Sequence, residues 1–196
     1  MHRFPLLLLC IALLCACQAQ QKQQALAHVF QPLDGRWKGV FTVYTDTLGQ
    51  REAPVQPREL SLELLQSLPL KVSQRIEVEQ VYTSETPFFQ RVHITDTYLL
   101  PDGSRQVVES SGYNEVKRGK LICVVNKPDE KVVHQGSSLP GNVIVWERNL
   151  RSPTKIEYFY EQVDQQHYTI IGWGYYGQDN PNLSPRTWFY GQYTRQ

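Results

Sequence analysis

Nucleophilic catalysis requires a serine or cysteine beside a histidine and a carboxylate. The 196-residue chain has no Gly-x-Ser-x-Gly elbow, no phosphate-cradling glycine loop and no histidine pair at metal-ligand spacing. His28, His93, His134 and His167 stand in separate segments. Spacing therefore proposes no shared metal, and no cofactor is expected. Glu77 with Glu79, and Glu157 with Glu161, fall on common faces of extended segments, an arrangement that could do general acid–base work. Their neighbours argue for a plainer role. Ile76 and Val78 flank Glu77, and Ile156, Tyr158 and Tyr160 lie beside Glu157, so alternation puts these acids on the solvent side of their strands. Cys123, within Leu121-Ile122-Cys123-Val124-Val125, is expected to behave as a small buried hydrophobe. The chain reads as a binding or structural protein, not an enzyme.

The densest remaining chemistry is aromatic. Gly172-Trp173-Gly174-Tyr175-Tyr176-Gly177 leads through a polar loop, Gln178 to Pro185, into Trp188-Phe189-Tyr190. Glycines between rings let a backbone or a ligand approach closely, as the mouth of a binding site would use. Trp173, Tyr175, Tyr176, Trp188 and Tyr190 are accordingly the candidate ligand-binding residues. A second segment, Thr47 to Pro57 with Pro54 and Pro57, is long for a hairpin and is the candidate opposite lip. The competing reading is that these large residues fill the taper of a small barrel beside small ones.

Elements of one kind must position these residues. Trp37, Phe41 and Val43 share a face at period two, and the same pattern recurs over 72–82, 90–99, 105–113, 120–126, 131–136, 142–149, 155–163, 167–176 and 187–193. Pro101-Asp102-Gly103, Lys117-Arg118-Gly119, Pro128-Asp129, Pro140-Gly141 and Ser152-Pro153 separate them with turn chemistry. Such closely spaced strands pair as antiparallel hairpins. Residues 58–70 fit either a strand, through Leu60, Leu62 and Leu64, or a helix, through Leu60, Leu64, Leu65 and Leu68; strand is the reading preferred here. About ten strands and no long helix make an all-β chain, and an antiparallel up-and-down barrel leaves no exposed edges.

Composition agrees. A 41% hydrophobic content suits a single folded domain, and 20 Lys and Arg against 19 Asp and Glu give no basic surplus for nucleic acid. Met1-His2-Arg3 and the apolar run from Phe4 to Leu14 form a signal peptide over 1–16, too short to span a bilayer. The run ends in Leu14-Cys15-Ala16-Cys17, which resembles the bacterial lipobox. The resemblance implies cleavage before Cys17 and a diacylglyceryl thioether on its sulfur. It places the protein in the cell envelope as a membrane-anchored lipoprotein on the periplasmic or extracellular side. With Cys10 and Cys15 removed and Cys17 capped, Cys123 has no disulfide partner. Residues 17–30 then comprise the lipidated cysteine, a Gln-rich tether and a helical turn over 25–30, and 31–196 form the barrel.

Gly35-Arg36-Trp37 at the head of the first strand resembles the Gly-x-Trp signature of the lipocalin and broader calycin superfamily. The resemblance implies that a basic residue at the end of the last strand, here Arg195, stacks over Trp37 and closes the barrel floor. Gly35-Arg36-Trp37-Lys38-Gly39 with Ser111-Gly112-Tyr113 is also similar to the nitrobindin-like branch of calycins. That branch's haem-ligating histidine near the C-terminus has no counterpart, since His167 is the last histidine. The sequence thus points to a membrane-tethered calycin-like domain that binds a small apolar or aromatic molecule in or at the mouth of its barrel. The alternative is a structural or assembly lipoprotein that contacts a protein or glycan through exposed aromatics. An open interior favours the first and a filled one the second.

Overall fold

The computed structural model describes residues 20–52 and 58–196. The signal segment, Cys17, Pro54 and Pro57 lie outside them. Ten strands follow in order: β1 Gly35–Asp46, β2 Leu70–Thr86, β3 Phe89–Leu99, β4 Arg105–Lys117, β5 Lys120–Asn126, β6 Lys131–Leu139, β7 Val143–Arg151, β8 Thr154–Val163, β9 His167–Gly177 and β10 Thr187–Arg195. Each pairs antiparallel with its neighbours in sequence, and β10 pairs with β1, with Trp37 opposite Arg195 and Thr45 opposite Thr187. The sheet is a closed up-and-down barrel, as the alternation and turn spacing require.

Local chemistry explains the short connections. Arg118 and Gly119 both have positive φ, 52° and 71°, between the paired Lys117 and Lys120. That is the twist a two-residue hairpin needs to match its strands. The one departure in element type is at 58–70, where a short helix, α1 (Leu62–Ser67), replaces the expected strand. Ser61 caps it, its hydroxyl accepting from the Leu64 N–H at 3.2 Å. Leu60 and Leu65 are buried beneath. With a cap in place, leucines at three- and four-residue spacing bury one helical stripe, and helix prevails over alternation.

Two apolar clusters lie on opposite faces of the barrel wall. The inner one joins Trp37, Ile76, Val78, Val92, Trp146, Tyr168, Ile170 and Tyr193. The outer one joins Val143, Val145, Tyr158, Ile171, Trp173, Tyr175 and Trp188 under Leu60 and Leu65. At the N-terminus, residues 20–25 are helical, a turn earlier than the sequence suggests. Phe30 is buried and stacks on Trp146 with centroids 6.3 Å apart, which covers one end of the barrel.

Candidate functional site

The covered end is held by Gly35, Trp37 and Arg195. The Arg195 guanidinium lies 4.2 Å from the Trp37 ring centroid. Its Nη2 donates to the Pro32 carbonyl at 2.9 Å, its Nε to that of Gln165 at 2.8 Å, and its Nη1 to that of Asp34. Trp37, fully buried, donates its indole N–H to the Leu33 carbonyl at 2.7 Å. A side chain at Gly35 is excluded twice over: φ is +115°, and a Cβ would come within 2.9 Å of Arg195 Nη1. Stacking and hydrogen bonding thus tie the last strand to the segment that enters the first.

Strand parity divides the aromatic candidates. Trp173, Tyr175, Trp188 and Tyr190 belong to the outer cluster, covered by α1 and by the β9–β10 loop, and Tyr176 alone of the five lines the barrel interior. The Tyr175 hydroxyl donates to the Leu183 carbonyl at 2.7 Å and the Trp188 indole to that of Pro185 at 3.2 Å, so the loop folds down outside the wall. Gln50 and Arg51 hydrogen-bond to Asn180 and Ser184, so the described part of the 47–57 segment meets this same loop. Trp173, Tyr175 and Trp188 are therefore buried outside the barrel wall and not at a cavity mouth.

The barrel is not filled by its own side chains. A cavity of about 280 Å³ opens towards the β3–β4, β5–β6 and β7–β8 connections, and a deeper lobe of about 160 Å³ shares Phe41, Gln80, His134, Phe159 and Ile170 with it. Two glycines let rings lie back against the wall. A Cβ at Gly172 would sit 2.6 Å from the Phe159 ring, and one at Gly174 would sit 2.6 Å from the Tyr176 ring. Glu157 pairs with Gly174, Phe159 with Gly172 and Glu161 with Ile170, so β8 and the two glycines face inward together.

This placement corrects the reading of Glu157 and Glu161 as solvent-side residues. Both point into the barrel, and Glu157's side chain is only 11% exposed. The reason is that β8 is covered on both faces, by α1 outside and by the barrel inside, so its more apolar face is the outer one. Glu77 and Glu79 do face solvent, pairing with Arg105 and with Arg36 and Lys38. Cys123 lines the deep lobe, and burial, with Glu161 nearby, pushes its thiol up so that it stays protonated.

At the upper level the polar groups are mutually paired. His134 Nε2 donates to Glu157 Oε2 at 2.9 Å, and the Tyr176 hydroxyl donates to Oε1 at 2.7 Å. Arg148, its side chain 5% exposed, lies 3.6 Å from Glu157 Oε2 and bonds Glu130, which also pairs with Lys155 at 2.8 Å. Burial pushes the Glu157 carboxyl up, but His134, Tyr176 and Arg148 together outweigh it and hold it below its ordinary value. Burial, with Glu157 beside it, pushes the Tyr176 hydroxyl up.

In the deep lobe the balance reverses. Glu161 Oε2 accepts from the Trp146 indole at 2.9 Å, and no basic side chain pairs with it among the described residues. Burial pushes its carboxyl up to about 7, against the pull of Trp146 and Tyr168. The buried Ser110 Oγ and Asn114 Oδ1 make no hydrogen bond, the Tyr168 hydroxyl faces Glu161 and Tyr82 without one of normal geometry, and all three residues line the two lobes. His134, Arg148, Glu157, Glu161 and Asn114 were not singled out as a site by spacing. The signal available was the pair of glycines opposite Glu157 and Phe159, readable only once the β8–β9 register is known. No group of three potential metal ligands occurs among the described residues.

No family model matches the chain, and no curated protein matches it in sequence. Solved structures do. The crystal structure of Rv2717c from M. tuberculosis is 17% identical, with a TM-score of 0.54 over 87% of this chain and 99% of that one. A redesigned β barrel, b11L5F_LGL, and EF1p2_mFAP2b bound to DFHBI are each 13% identical with a TM-score of 0.38, covering 87% of this chain. At these identities what is shared with the mycobacterial protein is the barrel fold.

Proposed function

We propose that the protein binds one small, largely apolar or aromatic molecule inside its barrel, as a carrier or sensor and not as an enzyme. The observation that carries this reading is the open interior. A cavity of about 280 Å³ walled by Phe41, Ile76, Ile94, Phe159 and Phe189 sits beside buried polar atoms that lack partners. The protonated state of the Cys123 thiol further supports a binding role over nucleophilic chemistry. Native mass spectrometry of protein extracted in mild detergent tests the reading. A one-to-one adduct lost on denaturation is expected, and an unliganded mass that no added apolar compound shifts would contradict it.

The same proposal places the barrel at a membrane through a lipid on Cys17, on the strength of the lipobox-like Leu14 to Cys17 segment and the Gln-rich stretch after it. Cys17→Ser should release the protein from the membrane fraction or leave its precursor unprocessed. A Cys17→Ser protein that is still processed and membrane-bound would contradict lipidation while leaving the cavity reading untouched.

A further inference from the structure

The Asn114 amide beside the deep lobe is oriented by a relay that begins outside it. Asp34 Oδ1 accepts from the Ser84 N–H and hydroxyl and from Gln90 Nε2 at 2.9 Å, and Gln90 Nε2 also donates to the Phe30 carbonyl at 2.7 Å. With its amide nitrogen committed to two acceptors, Gln90 must present Oε1 to Asn114. Asn114 Nδ2 donates to it at 3.0 Å. Asn114 is thereby forced to leave Oδ1, buried and unpartnered, beside the lobe. The carboxyl of Glu161 stands there too, with the Trp146 indole on one oxygen and the Tyr168 hydroxyl facing it. A buried carboxyl with no cation beside it, ringed by Phe41, Tyr82, Trp146, Phe159 and Tyr168, matches a group that brings N–H donors and positive charge into an aromatic enclosure.

We infer that the occupant of the deep lobe is a small aromatic molecule bearing a protonated amine, its ammonium directed at Glu161 and its ring packed against Phe41 and Phe159. This rests on the cavity-binding reading above and specifies the chemistry it selects. A lobe of about 160 Å³ suits a single-ring compound, since a cavity of about 150 Å³ holds benzene. An anionic occupant would meet Glu161 with no cation to offset it. Of the basic groups of the cavity, His134 and Arg148 are engaged by Glu157 and Glu130, and Lys127 stands at the upper level with Asp96, outside the deep lobe.

Binding should be linked to protons. The groups facing Glu161 are Tyr82 on β2, Cys123 on β5, Trp146 on β7, Tyr168 on β9 and Tyr193 on β10, with Glu157 on its own strand and His134 beyond Phe159. Burial pushes the tyrosines and the thiol up, so they stay neutral near pH 7, and it brings the Glu161 carboxyl to about 7. An ammonium favours the carboxylate, so binding below pH 7 expels a proton and affinity rises with pH.

Isothermal titration of the purified protein with 2-phenylethylamine and its neutral isostere 2-phenylethanol tests the inference. At pH 8 the amine should bind at least tenfold more tightly than the alcohol, and about tenfold more tightly than it does at pH 6. Glu161→Gln, which keeps an oxygen for Trp146, should bring the amine-to-alcohol ratio close to one and remove its pH dependence. Glu79→Gln, on the outer surface, should leave the ratio unchanged. Equal affinities for amine and alcohol, or an amine preference that survives Glu161→Gln, would overturn the inference. Binding of the alcohol alone would overturn it while leaving the cavity reading intact, and binding of neither compound nor of any apolar dye would overturn both.

Discussion

A carboxyl that burial pushes up to about 7 carries a definite sign for stability. Glu161's folded-state value lies above the ordinary one, so its contribution is most favourable below about pH 4.5 and is lost as pH rises through 7. The loss is on the order of 3 kcal/mol at about 1.4 kcal/mol per unit. Glu161→Gln should therefore be the more stable protein above pH 7, with a flatter pH profile between 4.5 and 7, measured by urea unfolding across that range. At the covered end, Trp37→Ala should cost about 3 to 5 kcal/mol as a large-to-small core change, and Arg195→Ala about 0.5 to 2 kcal/mol. Because the guanidinium lies 4.2 Å from the indole centroid, a double-mutant cycle should show coupling, and simple additivity would contradict the contact. These two residues were readable from a three-residue motif and the chain's end. Glu157 and Glu161 were not, because period two tells which residues share a face and leaves open which face is inside when both are covered.

Strand β9 shows the same ambiguity at the scale of an element. Its odd-numbered residues from Ile171 to Tyr175 pack outward under α1, and Ile170, Gly172, Gly174 and Tyr176 face the cavity. The aromatic richness of the segment was plain in the sequence, but its direction depended on α1, whose leucines satisfied two periodicities at once until the Ser61 cap decided between them. Trp173→Leu and Trp188→Leu should each lower stability by roughly 1 to 3 kcal/mol while leaving the affinity for an apolar dye within about twofold. Phe159→Ala, which strips the wall common to both lobes, should weaken the dye by about tenfold. A reversed pattern, with dye binding lost in the outer variants and kept in Phe159→Ala, would mean that the ligand sits under α1. Ser61→Ala should cost α1 about 1 kcal/mol through the lost cap.

For the molecule as a whole, the antiparallel pairing from β2 to β9 was legible from turn spacing, since each of those hairpins is local, whereas the β1–β10 pairing that closes the barrel was expected because it leaves no exposed edge. The hollow was not legible, because it depends on which side chains face inward and where rings such as Phe159 and Tyr176 lie against Gly172 and Gly174, and alternation alone sets neither. A far-UV spectrum dominated by strand, with helix well under a quarter, should accompany this architecture. The open interior is the basis of the binding reading. Its most direct test is a titration of the purified protein with an environment-sensitive apolar dye, alongside an Ile170→Trp variant that places an indole in the volume common to both lobes. Saturable one-to-one binding by the native protein, abolished in the folded Ile170→Trp variant, is the predicted result. No saturable binding, or binding that the filled variant retains, would contradict the account.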